Sequence, residues 1–123
     1  MRTIKFRGKR IDNGEWVYGS FVSKFKRKNN VFVNNLILTE DGEHAFEVDP
    51  ETVCELTGLT DKSGKEIYEG DIVIGANGLT GGPSEVLYKY SVWQPFSYLS
   101  NYNGEQFEVI GNIHDNPELL KQA

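Results

Sequence analysis

Three carboxylates lie close together near the middle of the chain, at Glu66, Glu69 and Asp71. Paired carboxylates can divide general-acid and general-base work between them. In a glycosidase the pair also needs a substrate cleft and a defined separation. The spacing therefore supports one catalytic hypothesis, a hydrolase that uses Glu69 and Asp71 as its acid–base pair.

The residues around these carboxylates favour a structural role over catalysis. Asp61 and Gly64, in "DKSGK", fit the first and left-handed positions of a tight hairpin turn. Gly70 permits a backbone bend that a side chain would hinder. Asp71 can accept hydrogen bonds from backbone N–H groups in that bend. We therefore predict no catalytic residue here and rank the hydrolase hypothesis last.

Other chemistry finds little support in the sequence. His44 and His114 lack recognised metal-ligand spacing, and a single cysteine excludes a multi-cysteine zinc site. Cys54 has no basic neighbour in sequence to lower its pKa, so a buried, inert thiol is predicted. The glycine-rich stretch 75–84 matches no phosphate-binding pattern and predicts a flexible hairpin loop. No metal and no cofactor are expected.

Charge is distributed unevenly along the chain. Residues 1–30 carry a net charge of +7, whereas residues 31–123 carry −12. The basic segment could bind an anion such as nucleic acid, or it could pair with acidic residues of the same chain or of a second subunit. Pairing ranks first, because the whole chain is acidic and nucleic-acid-binding domains are usually basic. The candidate anion-binding residues are Lys5, Arg7, Lys9, Arg10, Lys24, Lys26, Arg27 and Lys28.

Turn signals and short apolar runs predict a mostly β fold. "DNG", "NN" and "DG" follow or separate alternating segments in the first 45 residues and indicate hairpins. Asp49 and Pro50 can start a short helical turn, with a strand over "TVCEL" as the alternative. Asn116 and Pro117 predict a C-terminal helical turn. The expected architecture is small barrel-like or strongly bent antiparallel sheets built from hairpins.

Aromatic residues crowd the segment from Tyr88 to Tyr102, where Lys89 is the only basic residue. Bases stack on aromatic rings inside a basic groove. Because this segment is not basic, core packing or a protein–protein interface suits these rings better.

Length and hydropathy predict one soluble, intracellular domain. The 123 residues suit a single domain over 1–123, or two parts, an N-terminal β part over 1–55 and an SH3-like β-barrel part over 56–123. No apolar run reaches the roughly 20 residues of a membrane span, and the N-terminus lacks a signal peptide's apolar core. A lone cysteine fits a reducing compartment.

The central stretch "TGLTDKSGKEIYEGDIV" resembles the signature of the YopX family, small proteins of bacteriophages and prophages. The opening "IKFRGKRIDNGEWVYGSF" and the close "FEVIGNIHDNPELL" are similar to the family's two ends, so the resemblance spans nearly the whole chain. Segments 23–50 and 75–105 match in character only. The matching central residues are Thr57, Gly58, Leu59, Asp61, Gly64, Lys65, Ile67, Tyr68, Glu69, Gly70, Asp71, Ile72 and Val73.

The resemblance implies a mostly β protein with a barrel-like body and homo-oligomeric assembly, and it implies no known activity. Our first hypothesis is a non-enzymatic phage or prophage accessory protein in the host cytoplasm. It would act through contacts with host or phage proteins, or with copies of itself. The second is a nucleic-acid-binding β-barrel module that uses the basic N-terminal third, and the third is the hydrolase above. No contact with a membrane is expected.

Overall fold

A computed structural model describes residues 4–76, 81–89, 92–96 and 104–121. The chain divides into two compact units, Met1–Glu55 and Leu56–Ala123. Almost all regular structure is β, which confirms the predicted fold class. No helix in the described part of the chain is long and apolar enough to span a membrane.

The N-terminal unit contains one antiparallel sheet. Its strands are β1 (Phe6–Lys9), β2 (Trp16–Lys26), β3 (Phe32–Thr39), β4 (Ala45–Glu47) and the start of β5 (Cys54–Thr60). The order is β4-β3-β2-β1-β5, and within this unit β5 contributes Cys54 and Glu55. The buried apolar residues of this unit are Val33, Leu36, Ile37, Val48 and Cys54.

Each predicted hairpin of this unit forms, with one correction. The "DNG" loop joins β1 to β2, and Gly14 alone among its three residues has a positive φ, of 74°. A type I′ turn needs a positive φ at both central residues. Asn13 instead uses its side-chain oxygen to accept the N–H of Glu15 at 2.9 Å, which stabilises a longer loop.

Two further polar interruptions of the N-terminal strands adopt different structures. The Asp41–Gly42 turn joins β3 to β4, with a positive φ at Gly42 as expected. The Asn34–Asn35 break was expected to be a bulge or a second tight turn. Strand β3 instead runs through it in continuous register, with Asn35 in the left-handed region at a φ of 59°.

The C-terminal unit is built from short strands around an aromatic and β-branched core. After β5 come β6 (Glu66–Tyr68), β7 (Asp71–Gly75), β8 (Ser84–Glu85), β9 (Leu87–Lys89), β10 (Val92–Gln94) and β11 (Phe107–Asn112). They form a three-stranded sheet β11-β7-β8, an antiparallel β9–β10 pair and a β5–β6 pair. The core consists of Ile67, Val73, Val86, Trp93, Phe96 and Phe107.

Two 3-10 segments occupy the predicted helical positions. Pro50–Thr52 forms one turn, with Asp49 as its N-cap accepting the N–H of Glu51. Pro117–Lys121 forms the other near the C-terminus. The described strand pairings do not close into a barrel, and the SH3-like barrel over 56–123 stays a prediction. Residues 77–80 of the predicted glycine-rich loop lie outside the described residues, as do Tyr90, Tyr98 and Tyr102.

Candidate functional site

The first strands bring basic and aromatic side chains together. In the register of β1 against β2, Arg7 lies opposite Tyr18 and Lys9 opposite Trp16. The Arg7 guanidinium lies 4.6 Å from the centre of the Trp16 ring, and the Lys9 ammonium 5.5 Å from it. Arg7 is itself buried, so its charge is held against the indole and not presented at the surface.

A second cluster lies at the far end of β2 and β3. We call residues 23–34 the hairpin arm. There Lys26 lies opposite Phe32, Phe25 opposite Val33, and Lys24 opposite Asn34. The Lys24 ammonium is 4.4 Å and the Lys26 ammonium 5.9 Å from the centre of the Phe32 ring. Asn30, with a φ of 67°, closes the turn of the arm by donating its N–H to the Arg27 carbonyl.

Two of the predicted anion-binding residues pair with acids of their own unit. Lys5 lies 2.6 Å from a Glu40 oxygen. Arg10 binds Asp12 through two hydrogen bonds, of 2.9 Å from Nε and 2.6 Å from a terminal nitrogen. This bonding raises the pKa of Arg10 and lowers the pKa of Asp12. Lys5 and Arg10 therefore form ion pairs within their own unit.

The basic residues of the hairpin arm differ from those two. Within the described ranges no carboxylate lies within ion-pair distance of the arm's four cations, and all four side chains are exposed. Their positive charge is therefore available to an outside partner. The four residues are Lys24, Lys26, Arg27 and Lys28.

The carboxylates Glu66, Glu69 and Asp71 lie within residues 57–73, which we call the β-corner. Asp61 is buried, and its carboxylate accepts the N–H groups of Ser63 at 2.9 Å, Lys65 at 3.0 Å and Val109 at 3.0 Å. Burial opposes ionisation of Asp61, but these bonds outweigh it and hold the pKa of Asp61 below its ordinary value. Gly64 has a φ of 83°, in the left-handed position predicted for it.

The second half of the β-corner is organised in the same way. Asp71 is 2% exposed and accepts the N–H of Tyr68 at 2.8 Å. Gly70 makes the bend with a φ of 85° and donates its N–H to the Val86 carbonyl. Glu69 is half-buried and Glu66 is exposed. A carboxylate as enclosed as that of Asp71 serves the backbone, so the geometry favours the structural interpretation.

Sequence reasoning missed two hydroxyl groups that stabilise these regions. Thr57 Oγ1 donates to the Ile67 carbonyl at 2.7 Å and accepts the Leu59 N–H at 3.0 Å. Thr52 Oγ1 accepts the Lys9 N–H at 2.8 Å. The "TGL" run gave no chemical signal for the Thr57 contacts, because a threonine in a β-rich run is ordinarily explained by its strand propensity.

The metal and thiol candidates lie apart from these clusters. No group of three or more histidine, cysteine or carboxylate side chains that could hold a metal occurs among the described residues. His44 is exposed, stacks on Phe46 at 5.9 Å and lies 4.0 Å from Asp41. Cys54 is buried and donates its S–H to the Thr52 carbonyl at 3.1 Å.

Comparison with known proteins places the chain in a family. Residues 5–121 match the family described as YopX protein. The chain belongs to the YopX family. Its structure is similar to the crystal structure of protein EF1440 from Enterococcus faecalis, with a TM-score of 0.56 and 26% sequence identity, covering 98% of this chain and 99% of that one. No curated protein matches the sequence.

The contacts of the central signature residues give the signature a structural explanation. In this YopX chain the signature residues Thr57, Asp61 and Asp71 all bind backbone groups of the β-corner. Ile67 and Val73 lie in the core of the C-terminal unit. These central signature residues therefore build the fold, and the hairpin arm lies outside the central signature.

Proposed function

We propose that the chain is a non-enzymatic interaction module that associates with a second copy of itself through the hairpin arm. The carrying observation is that the arm is a two-stranded ribbon with exposed apolar residues at its end. A role as a phage or prophage accessory protein is part of this proposal, and it rests on the family resemblance.

The edges of the arm support the proposal. Strand β1 pairs with β2 only from Trp16 to Gly19, and β4 pairs with β3 only from Leu36 to Leu38. In the part of the chain that the structure describes, residues 24–26 and 32–34 thus pair only with each other. A two-stranded ribbon is at best marginally stable in water, and open strand edges are templates for further pairing. A strand from a second copy would supply that pairing.

The exposure of the arm's apolar side chains also supports the proposal. Phe25 is 49%, Val31 52% and Phe32 53% exposed. Apolar side chains that a second copy covers are removed from water, which favours association. Phe32 lies opposite Lys26, so these two side chains project to the same side of the ribbon. Phe25 precedes Lys26 in its strand and, because successive residues alternate, projects to the other side. An added copy could cover Phe25 and leave Phe32 exposed.

The buried carboxylates support the non-enzymatic part of the proposal. Both carboxylate oxygens of Asp61 and one carboxylate oxygen of Asp71 accept backbone N–H groups. A general base must reach the proton that it removes from a substrate. This use of the two carboxylates favours binding over catalysis as the work of the chain.

Size-exclusion chromatography with light scattering tests the association. We expect an oligomer whose mass persists at high salt, because strand pairing and apolar burial are screened little by ions. Phe25→Glu should shift the protein toward the monomer, since it places a charge in the interface. Ile11→Glu is the matched control, because Ile11 is 62% exposed in the β1–β2 loop of the same unit.

Each result of the light-scattering experiment leads to a different conclusion about the interface. A monomer at all concentrations and salt conditions would overturn the proposal. Equal dissociation by Phe25→Glu and Ile11→Glu would move the interface away from the arm. Circular dichroism of both variants shows that any change in mass is not a change in fold.

A further inference from the structure

We propose that one side of the N-terminal sheet binds single-stranded nucleic acid. This surface, the basic aromatic face, presents aromatic rings to the bases and lysine ammonium groups to the phosphates. The inference goes beyond self-association and does not depend on it. The face consists of Lys9, Trp16, Tyr18, Lys24, Lys26 and Phe32.

Strand register places these side chains on one side. Alternate residues of a strand project to the same side of a sheet. The even-numbered positions of β2 hold Trp16, Tyr18, Lys24 and Lys26, and Phe32 lies opposite Lys26. Lys9 lies opposite Trp16 on the neighbouring strand β1.

Distances between cations and rings agree with that placement. Lys9 approaches Trp16, and Lys24 and Lys26 approach Phe32, all within 5.9 Å of the ring centres. Such contacts hold a positive charge beside an aromatic surface. Proteins that bind single strands combine the same two elements, a positive groove along the backbone and rings on which bases stack.

The dimensions of the face suit several nucleotides. Strand β2 has 11 residues, which at about 3.3 Å per residue span roughly 35 Å. Two of the rings are well exposed, Tyr18 at 42% and Phe32 at 53%. They lie toward the two ends of the face, so bases could stack at both ends. Lys9 lies opposite Trp16 at one end, and Lys24 and Lys26 lie beside Phe32 at the other, where their ammonium groups could contact phosphates.

The charge balance of the face favours an anion. Lys24 and Lys26 have no carboxylate within ion-pair distance in the described residues, and Arg27 and Lys28 extend the charge into the turn. Among the paired strand positions on this side of the sheet, the nearest acid to Lys24 is Glu47. It lies on the edge strand β4, opposite Leu36. Lys5 and Arg10 are already bound to Glu40 and Asp12, so they contribute little to phosphate binding.

Exposed rings favour a single strand over a duplex. Bases in a duplex are stacked on each other, and their faces are not available to a side chain. A surface that bound duplex phosphates alone would need the lysines but not the rings. The contribution of Tyr18 and Phe32 therefore distinguishes the two ligands.

Fluorescence anisotropy with a labelled 20-nucleotide oligothymidylate tests the proposal at low salt. We expect saturable binding that weakens with salt, with a log–log slope of about −2 to −3.5, because three to five phosphates would be neutralised at roughly 0.7 per contact. Phe32→Ala and Tyr18→Ala should each weaken binding at least about fivefold without changing that slope. Lys24→Ser should reduce the slope by about 0.7.

Two controls and one competitor complete the design. Tyr88→Ala removes a comparably exposed ring, 55% exposed, from the C-terminal unit and should leave binding unchanged. Phe25→Glu, on the opposite side of the arm, adds a negative charge but removes no ring of the face, so binding should persist even if the protein becomes monomeric. A duplex of equal length should bind more weakly.

Three results would overturn the proposal. They are no binding at low salt, equal affinity for single strand and duplex, or affinity that is indifferent to Tyr18→Ala and Phe32→Ala. Failure of this experiment leaves the light-scattering result on self-association unaffected. Circular dichroism of each variant excludes loss of fold as the cause of weaker binding.

Discussion

The β-corner and the hairpin arm are both rich in charge but use it in opposite ways. In the β-corner, Asp61 and Asp71 are buried and bound by backbone N–H groups. In the arm, Lys24 and Lys26 are exposed beside an aromatic ring. A charge whose hydrogen bonds are made inside the fold contributes to stability, whereas an exposed charge beside an exposed ring is available to a partner.

Removal of the Asp61 carboxylate should be the most damaging change in this comparison. Asp61→Ala leaves the N–H groups of Ser63, Lys65 and Val109 without their acceptor. An unsatisfied donor costs about 1–3 kcal/mol when it is fully buried, and these three hydrogen bonds are part-buried, so we expect a loss of about 3–5 kcal/mol in the free energy of unfolding. Urea denaturation measures it.

Two matched variants check that result. Asp61→Asn keeps one oxygen that can accept part of the hydrogen bonds. It should lower the free energy of unfolding less than Asp61→Ala does. Asp12→Ala removes an exposed carboxylate and should shift the urea midpoint far less. If Asp12→Ala and Asp61→Ala were equally harmful, the distinction between the two kinds of charge would fail.

Thr57→Val should have an intermediate effect. The change keeps the shape of the side chain but removes a hydroxyl that binds the Ile67 carbonyl and the Leu59 N–H. We expect a loss of about 1–2 kcal/mol in the free energy of unfolding. Thr60→Val, at an exposed position of the same strand, is the control and should change it little. An effect of Thr57→Val no larger than the control's would remove this hydroxyl from the account of the β-corner.

Low pH should reduce the contribution of Asp61 to the free energy of unfolding. Its pKa is lower in the folded chain than in the unfolded chain, where it is about 3.9. The stabilisation is therefore complete above the unfolded value and is lost as pH falls through the folded value. The advantage of the native protein over Asp61→Asn in urea should shrink between pH 7 and about pH 3. A constant difference would show that the carboxylate charge does not matter.

The sequence predicted the β-corner better than the arm for a physical reason. The Asp61 turn and the Gly70 bend depend on residues close in sequence, whose turn chemistry is local. The Val109 N–H that completes the Asp61 network is 48 residues away, and no local pattern indicates it. The pairing of Trp16 with Arg7 and Lys9 likewise needs the register of β1 against β2, which depends on the loop between them. Local rules predicted a tighter form of that loop than the one that occurs.

Removing charge from the hairpin arm should affect stability least. Replacing Lys24, Lys26, Arg27 and Lys28 together with Ser removes four exposed cations that have no carboxylate partner in the described part of the chain. Each surface change of this kind usually stays within about 0.5 kcal/mol. Lower repulsion between the four like charges offsets part of any lost ring contact, so we expect an urea midpoint close to that of the native protein. A large loss of stability would mean that the arm's cations support the fold as the acids of the β-corner do.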